Sequence, residues 1–231
     1  MSELLKWDQA GEHYYETGVD RMVLFPRNDK GVYENGVAWS GITAINESPS
    51  GAESTKIFAD NQKYLDLTSA EDYGATIQAY TYPDEFAECD GSAEVASGLT
   101  IGQQNRKSFG FAYRTKIGND AAGADFGYTL HLVYGAKAAP SEKSHNTVND
   151  SPEATSLSWT ITTTPTPVTG YKATAHLEVN STKLDEKGKT ALAWLESQIY
   201  GTAGENEETS VPAKLPTPDE IISHFKGSAM G

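Results

Sequence analysis

Two segments near the middle of the chain alternate between large apolar residues and small or polar ones, and this constrains the fold more than any other feature. Residues 107–117 carry Phe109, Phe111 and Tyr113 at every second position, and residues 127–136 keep the same period. Side chains on a β-strand point alternately to the two faces of a sheet, so both segments are predicted to be strands. The polar, glycine-containing stretch between them predicts a hairpin turn.

Shorter strands are predicted before and after this hairpin. They cover residues 21–26, 37–46, 54–59 paired with 63–68, 75–82, and a last hairpin of 155–163 with 171–179. A single helical turn is predicted after Pro83.

Helical spacing appears only near the carboxyl end, from Leu184 to Ile199 and again over 219–225. Strands first and helices last predict a mainly β (α+β) fold, a sandwich or barrel with one or two helices and a C-terminal helical segment. The predicted division is an N-terminal arm (1–20), a β-domain (21–200) and a C-terminal extension (201–231).

The charge of the chain argues against tight nucleic-acid binding. The chain has 18 Lys and Arg and 32 Asp and Glu, which gives a formal net charge of −14. Proteins that bind phosphates usually carry a basic face. An acidic surface repels DNA, which is useful if DNA has to pass without sticking. Solubility alone is the simpler explanation.

The compartment is predicted from what the sequence lacks. The amino terminus has no basic stretch followed by an apolar core, and no apolar run reaches the roughly 18–20 residues of a membrane span. Synthesis in a cytoplasm without membrane insertion is therefore predicted. Cys89 is the only cysteine, so an internal disulfide is impossible.

No familiar catalytic or metal-binding pattern occurs. The five histidines, at 13, 131, 145, 176 and 224, show no zinc-site spacing, and there is no Gly-x-Ser-x-Gly elbow. Cys89 lies between Glu88 and Asp90, which raise a thiol pKa and weaken it as a nucleophile. His131 and His176 are interpreted as packed or hydrogen-bonded strand residues. We therefore predict no enzyme activity, cofactor or metal, while an enzyme of unknown class stays a minor alternative.

Seven short blocks occur in order over about residues 20–180 and together resemble one protein family. They are GVAWSGI (36–42), FADNQKYLDL (58–67), AYTYPDEFAECDG (79–91), GQQNRKSFG (102–110), YRTKIGND (113–120), GYTLHLVYG (127–135) and NDSPE (149–153). The succession is similar to the major tail proteins, or tail tube proteins, of long non-contractile-tailed bacteriophages (siphovirus type) and prophages of Gram-positive hosts. The segment after about residue 185 adds little to the match.

The resemblance implies a self-assembling structural protein of the virion. Its subunits would form hexameric rings that stack into a tail tube, with the tape measure protein in the lumen and DNA passing through during ejection. Tail terminator and distal tail proteins would be the other partners. Assembly would take place in the host bacterial cytoplasm, and no membrane would be involved.

The resemblance also assigns candidate contact residues. A long loop at 46–63 would reach the neighbouring ring, with Glu47, Ser48, Pro49, Gly51, Glu53, Lys56, Asp60, Asn61 and Lys63 as its candidates. Arg106 and Arg114 are scarce cations in an acidic chain and are interpreted, apart from the resemblance, as inter-subunit salt-bridge partners, with ordinary surface positions as the alternative. Asp84 and Glu85 are the other inter-subunit candidates. Trp39 and Trp159 are expected in the core or in inter-subunit packing. The two termini are either ring-to-ring contacts or flexible ends.

A second function remains open from the sequence. The chain contains 12 Tyr and four Trp, and a sandwich that exposed them would offer a platform for sugars. The alternative is therefore a host- or carbohydrate-binding β-sandwich of the tail tip.

Overall fold

The computed structural model describes residues 4–147, 150, 154–204 and 210–227. It is mainly β with two helices at the carboxyl end, which confirms the predicted fold class. The strands are β1 (Tyr14–Pro26), β2 (Val37–Trp39), β3 (Ile42–Glu47), β4 (Ser50–Gly51), β5 (Ser54–Ala59), β6 (Gln62–Thr68), β7 (Glu71–Asp72), β8 (Gly74–Ala79), β9 (Ala93–Ala96), β10 (Leu99–Ile101), β11 (Phe109–Asn119), β12 (Gly123–Ala138), β13 (Leu157–Thr163) and β14 (His176–Asn180). The helices are α1 (Glu186–Tyr200) and α2 (Pro218–Lys226), and Asp84–Phe86 and Ser181–Lys183 form 3₁₀ turns.

One antiparallel sheet organises the molecule. Its strands run in the order β2-β1-β11-β12-β13-β8-β3, and β14 adds to β12 beside this path. The predicted hairpin is confirmed as β11 and β12, and β1 pairs with the outer edge of β11. The predicted helical turn after Pro83 is also present, as the 3₁₀ turn Asp84–Phe86.

The long strand β12 belongs to two branches of the sheet. Residues 129–133 pair with β14, whereas residues 136–138 pair with β13. Gly135 lies between the branches with φ +59°, and a Cβ there would stand 2.3 Å from the Thr164 carbonyl oxygen. Only glycine fits this turning point, because it tolerates positive φ and has no side chain to clash.

Both faces of the central strands are buried, which creates two cores. On one face Phe109, Phe111, Trp39 and Trp159 meet, so the predicted core position of both tryptophans is confirmed. The other face is covered by the helices. That second core contains Val23, Phe25, Ala112, Leu130, Leu132, Tyr134, Val179, Leu192, Leu195, Ile199, Leu215 and Ile221.

Both helices begin at capping residues and pack against each other. The Asp185 side chain accepts from the Gly188 amide at the start of α1, and Thr217 with Glu220 forms a capping box on α2. Trp194 of α1 stacks on His224 of α2 at 3.5 Å between ring centroids. Both predicted helices are thus confirmed. Within the described ranges, neither is long and apolar enough to cross a membrane.

Two sequence-based predictions of strands are wrong. The segment 37–46 is not one strand, because Gly41 adopts φ +83° and turns the chain between β2 and β3. Residues 155–163 and 171–179 do not form a hairpin either, since β13 pairs with β8 and β12 while β14 pairs with β12 alone. Among the described residues, an isolated antiparallel bridge between Thr166 and Thr174 joins the two segments. Pro165 and Pro167 flank Thr166 and carry no backbone N–H, so they cannot extend this bridge into a ladder.

The ends of the chain are tied to the sheet. β1 begins at Tyr14, so the last part of the predicted N-terminal arm belongs to the sheet. The Asp120 carboxylate accepts from the Gly11 and His13 amides and fastens the chain just before β1. Near the other end, Leu215 and Ile221 are buried in the second core, so much of the predicted extension is packed.

Candidate functional site: assembly surfaces and a histidine–carboxylate cluster

The predicted pairing of 54–59 with 63–68 is confirmed, as β5 and β6, so the long loop expected at 46–63 is largely an exposed β-hairpin. Strands β5 and β6 pair from Ser54–Thr68 to Ala59–Gln62, and β4 pairs with β7 below them. We call residues 48–72 the β-arm. All of them are exposed except Ala59 and Leu65, which are half-buried. At about 3.4 Å per residue, the β5–β6 part alone is about 20 Å long.

One face of the β-arm is apolar. Thr55 lies directly opposite Leu67, and Ile57 lies opposite Leu65. Residues directly opposite each other in an antiparallel pair point to the same face, so these four side chains form one stripe. Ile57 is 38% exposed and Leu67 55% exposed. The opposite face carries the pair Lys56 and Asp66 at the same level. Phe58 and Tyr64, 66% and 69% exposed, lie nearer the tip.

At the tip and at the root of the β-arm, the backbone adopts positive φ angles. Asp60 and Asn61, at the tip, have φ of +49° and +62°, the geometry of a two-residue hairpin turn. At the root, Gly51 has φ +86°, and a Cβ there would lie 2.2 Å from the Ala70 carbonyl oxygen. The root therefore requires glycine at this position.

All but one of the residues predicted for contact between rings lie on the β-arm. Ser48 and Pro49 begin it, Gly51 and Glu53 lie near the root, Lys56 and Lys63 lie on β5 and β6, and Asp60 and Asn61 form the tip. Lys63 makes an ion pair with Asp66. Glu47 is the exception, because it ends β3 and faces the sheet. Their predicted contact with a neighbouring ring stays a prediction.

The second exposed feature is the open edge of β1. β2 covers only Met22, Val23 and Leu24, and in the described part of the chain no strand lies beside residues 14–21 on that side. Tyr14 and Tyr15 stand here, 59% and 46% exposed. An open strand edge presents unpaired N–H and C=O groups and is a template for pairing with another chain.

Arg106, predicted to contact a neighbouring subunit, is engaged inside its own chain. Its guanidinium lies 3.3 Å from both Asp90 Oδ1 and the Ala138 carbonyl oxygen. Asp90, with a side chain 6% exposed, also accepts from Trp159 Nε1 at 3.0 Å and Lys143 Nζ at 2.7 Å. This network ties the loop after the 3₁₀ turn to the first core.

Arg114 also has its partner within the chain. It donates two hydrogen bonds to the Asp20 carboxylate, at 2.7 and 2.8 Å, and lies over the Tyr128 ring. Hydrogen bonding from Arg114 holds the pKa of Asp20 below its usual value. Arg106 and Arg114 thus have roles inside the subunit, and a role between subunits stays a prediction for both.

Asp84 and Glu85 lie on the surface. They form the first turn of the 3₁₀ segment and are exposed. Neither has an ion-pair partner among the described residues. Their carboxylates are therefore accessible to a neighbouring molecule, and their predicted contact between subunits remains untested.

Cys89 is buried in the first core. Burial, and to a smaller degree Glu88, raises the pKa of its thiol to about 12. This agrees with the interpretation of Cys89 as a poor nucleophile, although burial contributes more than the neighbouring acids.

The folded protein should not react with a thiol reagent such as Ellman's reagent at neutral pH. The thiolate is the reactive form, and at Cys89 it is both scarce and shielded. In a denaturant that unfolds the chain, one thiol per chain should react within minutes. Fast reaction in buffer alone would contradict the burial of this side chain.

Four side chains near the root of the β-arm form what we call the histidine–carboxylate cluster: Glu47, His131, His176 and Glu178. His131 Nδ1 lies 3.3 Å from His176 Nε2 and 3.6 Å from an oxygen of each carboxylate. Burial lowers the pKa of His131 to about 4 and also lowers the pKa of His176. Both imidazoles are therefore neutral at pH 7.

The sequence does not predict this cluster. It predicts both histidines as packed or hydrogen-bonded, which is confirmed by the burial of His131, the partial burial of His176 and their mutual contact. It does not bring them together with the two glutamates. The only local signal is the spacing of His176 and Glu178, two residues apart on one strand face. The other members come from distant parts of the chain.

No model of a known protein family and no curated protein sequence matches this chain.

Proposed function

We propose that the protein is a non-enzymatic structural subunit that assembles into stacked rings, as the tail tube of a long non-contractile phage tail does. The observation that carries the proposal is the β-arm. None of the four residues of its apolar stripe belongs to either hydrophobic core of the described chain, and the arm ends in a two-residue turn. An exposed apolar surface of this kind is typical of a contact site for another molecule.

The open edge of β1 supports contact within a ring. A long exposed edge is an aggregation hazard for a monomer, and a closed ring removes it, because each subunit pairs with its neighbour. Tyr14 and Tyr15 supply apolar area beside this edge. The two surfaces therefore have separate roles: the β1 edge joins subunits side by side, and the β-arm reaches the adjacent ring.

The charge of the chain fits a conduit for DNA. Each copy has a formal net charge of −14, and a ring multiplies this value. Acidic residues on an inner surface repel phosphates, so DNA passes without specific binding. The tape measure protein in the lumen, the tail terminator and the distal tail proteins are proposed as the other partners, and the phage tail as the site of action.

The carbohydrate-binding alternative is less well supported. A sugar platform needs exposed aromatic rings, yet Trp39 and Trp159 are buried and Trp194 stacks on His224. Trp7 is the exposed tryptophan, at 74%, and it lies in the segment before β1. Five of the 12 tyrosines are exposed as well: Tyr14, Tyr15, Tyr64, Tyr80 and Tyr171. The tryptophans alone therefore argue against a sugar platform.

Sedimentation velocity and negative-stain microscopy of the purified full chain test the proposal. With rising concentration we expect rings and then stacked tubes of uniform diameter. A protein that stays monomeric up to its solubility limit, and also when tail terminator protein is added, would exclude this function. Binding of the monomer to a glycan array would instead favour the alternative.

A further inference from the structure

The histidine–carboxylate cluster joins three strands that are far apart in the sequence. His131 on β12 lies directly opposite Glu178 on β14. His176 lies two residues before Glu178, on the same face of β14. Glu47 is the last residue of β3, immediately before the β-arm. The cluster therefore lies where the arm leaves the sheet.

The distances between its ligand atoms suit a small tetrahedral cation. Four ligands about 2.0–2.2 Å from a zinc ion stand about 3.3–3.6 Å from one another. The observed separations are 3.3 Å between the histidine nitrogens, 3.6 Å from His131 to each glutamate, and 3.9 Å from His176 Nε2 to Glu47. All four ligand atoms lie within 4.8 Å of one another. Small side-chain rotations are therefore enough to bring them to the spacing of a tetrahedral site.

The charge of the cluster also favours a divalent cation. Glu47 and Glu178 bring two carboxylates to the cluster, and among the described residues no Lys or Arg pairs with either. Like charges held close together repel each other. An ion of charge +2 removes this repulsion.

Neighbouring groups hold the four side chains in place. Thr115 Oγ1 lies 3.0 Å from His131 Nε2, the nitrogen that faces away from the cluster. The Tyr113 hydroxyl donates to Glu47 Oε1, and the Tyr113 ring stacks on His131 at 4.5 Å. Tyr73 stacks on His176 at 4.4 Å. Such outer partners are what metal-binding histidines and carboxylates usually have.

We propose that Glu47, His131, His176 and Glu178 bind one divalent transition-metal ion, with Zn²⁺ as the best fit. Two imidazoles and two carboxylates suit zinc and its neighbours. Mg²⁺ and Ca²⁺ prefer oxygen ligands alone. Four protein ligands leave no position for a substrate, so the site is structural. It ties the root of the β-arm to β12 and β14.

Metal titration of the full chain tests this site without reference to assembly. The protein is stripped with a chelator, desalted, and titrated with Zn²⁺ or Mg²⁺ by calorimetry, and Co²⁺ serves as a spectroscopic probe. We expect one Zn²⁺ per chain, no comparable Mg²⁺ binding, and the visible absorption of tetrahedral Co²⁺. The thermal midpoint should rise with Zn²⁺, because an ion that binds only the folded state stabilises it.

Two variants locate the ion. Glu178→Gln alters a side chain that is 54% exposed and should keep the fold, yet weaken Zn²⁺ binding at least tenfold. His176→Ala should weaken it at least a hundredfold, with circular dichroism as the check on folding. His145→Ala, at an exposed histidine outside the cluster, should bind as the unaltered chain does. Absence of stoichiometric binding, or equal affinity in all variants, would overturn the proposal.

Discussion

A chain carrying Ile57→Ser and Leu67→Ser should fold normally but fail to assemble at the concentration at which the unaltered chain assembles. Both side chains lie on the apolar stripe of the β-arm and are substantially exposed in the single subunit. Surface substitutions usually change the free energy of unfolding by less than about 0.5 kcal/mol. The thermal midpoint of the monomer should therefore change little.

The effect on assembly should be large. Fully burying one such side chain contributes about 1.5–3 kcal/mol, and only the exposed 38% of Ile57 and 55% of Leu67 remain to be covered, so the loss of both removes about 1.4–2.8 kcal/mol from each contact. Because about 1.4 kcal/mol is a factor of ten in affinity, the concentration at which tubes appear should rise about ten- to a hundredfold. Sedimentation of a dilution series measures this concentration.

A second exposed hairpin, β9–β10, supplies a matched control. Val95→Ser with Leu99→Ser removes two apolar side chains that are 54% and 58% exposed and lie outside the β-arm. This variant should assemble at a concentration close to that of the unaltered chain. If both double variants assemble equally well, the apolar stripe is not the contact surface between rings.

Asp90→Ala should be the most destabilising of the single substitutions considered. Its carboxylate is the shared acceptor of Trp159, Arg106 and Lys143. Removing it leaves a buried indole N–H unpaired and two cations without their counter-charge. Removing one partner of a buried ion pair typically costs about 3–5 kcal/mol. Since Arg106 and Lys143 are partly exposed, we expect a loss near about 3 kcal/mol.

Urea unfolding followed by tryptophan fluorescence measures this loss. Asp90→Asn keeps an acceptor for the Trp159 N–H and should cost less than the alanine variant. Asp84→Ala, at an exposed carboxylate six residues earlier, should change the free energy of unfolding by less than about 0.5 kcal/mol. A loss in Asp90→Ala no greater than in Asp84→Ala would show that the network does not stabilise the first core.

The sequence predicts local structure better than it predicts the partners of distant strands. Alternation identified β11 and β12, and their short connection identified them as neighbours. Nothing local indicates that β1 pairs with β11 or that β14 adds to β12. The wrong hairpin at 155–179 has the same cause: two strands close in sequence were expected to pair with each other. Both pair instead with β12, on the two sides of the turn at Gly135, and β13 pairs with β8 as well.

The same limit applies to the sites. The β-arm could be predicted as a protruding segment because its polar turn and paired strands are local. Its apolar stripe depends on the register of Ile57 with Leu65, which the sequence leaves open. The histidine–carboxylate cluster depends on long-range pairing, since Glu47, His131 and His176 meet only after β3, β12 and β14 have joined the sheet.

Because β1 pairs with β11, the first long strand of a newly synthesised chain stays unpaired, and able to pair with another copy, until β11 has been made. Residues Tyr14 to Pro26 leave the ribosome long before Phe109 to Asn119 exist. At about 5–20 residues per second, the gap lasts about 5–20 s, whereas a local hairpin such as the β-arm closes in about 1–10 μs. From the synthesis of residue 72 onward, the nascent chain can form the β-arm while β1 is still unpaired. Mutual repulsion between acidic chains then limits premature pairing while many copies are made side by side.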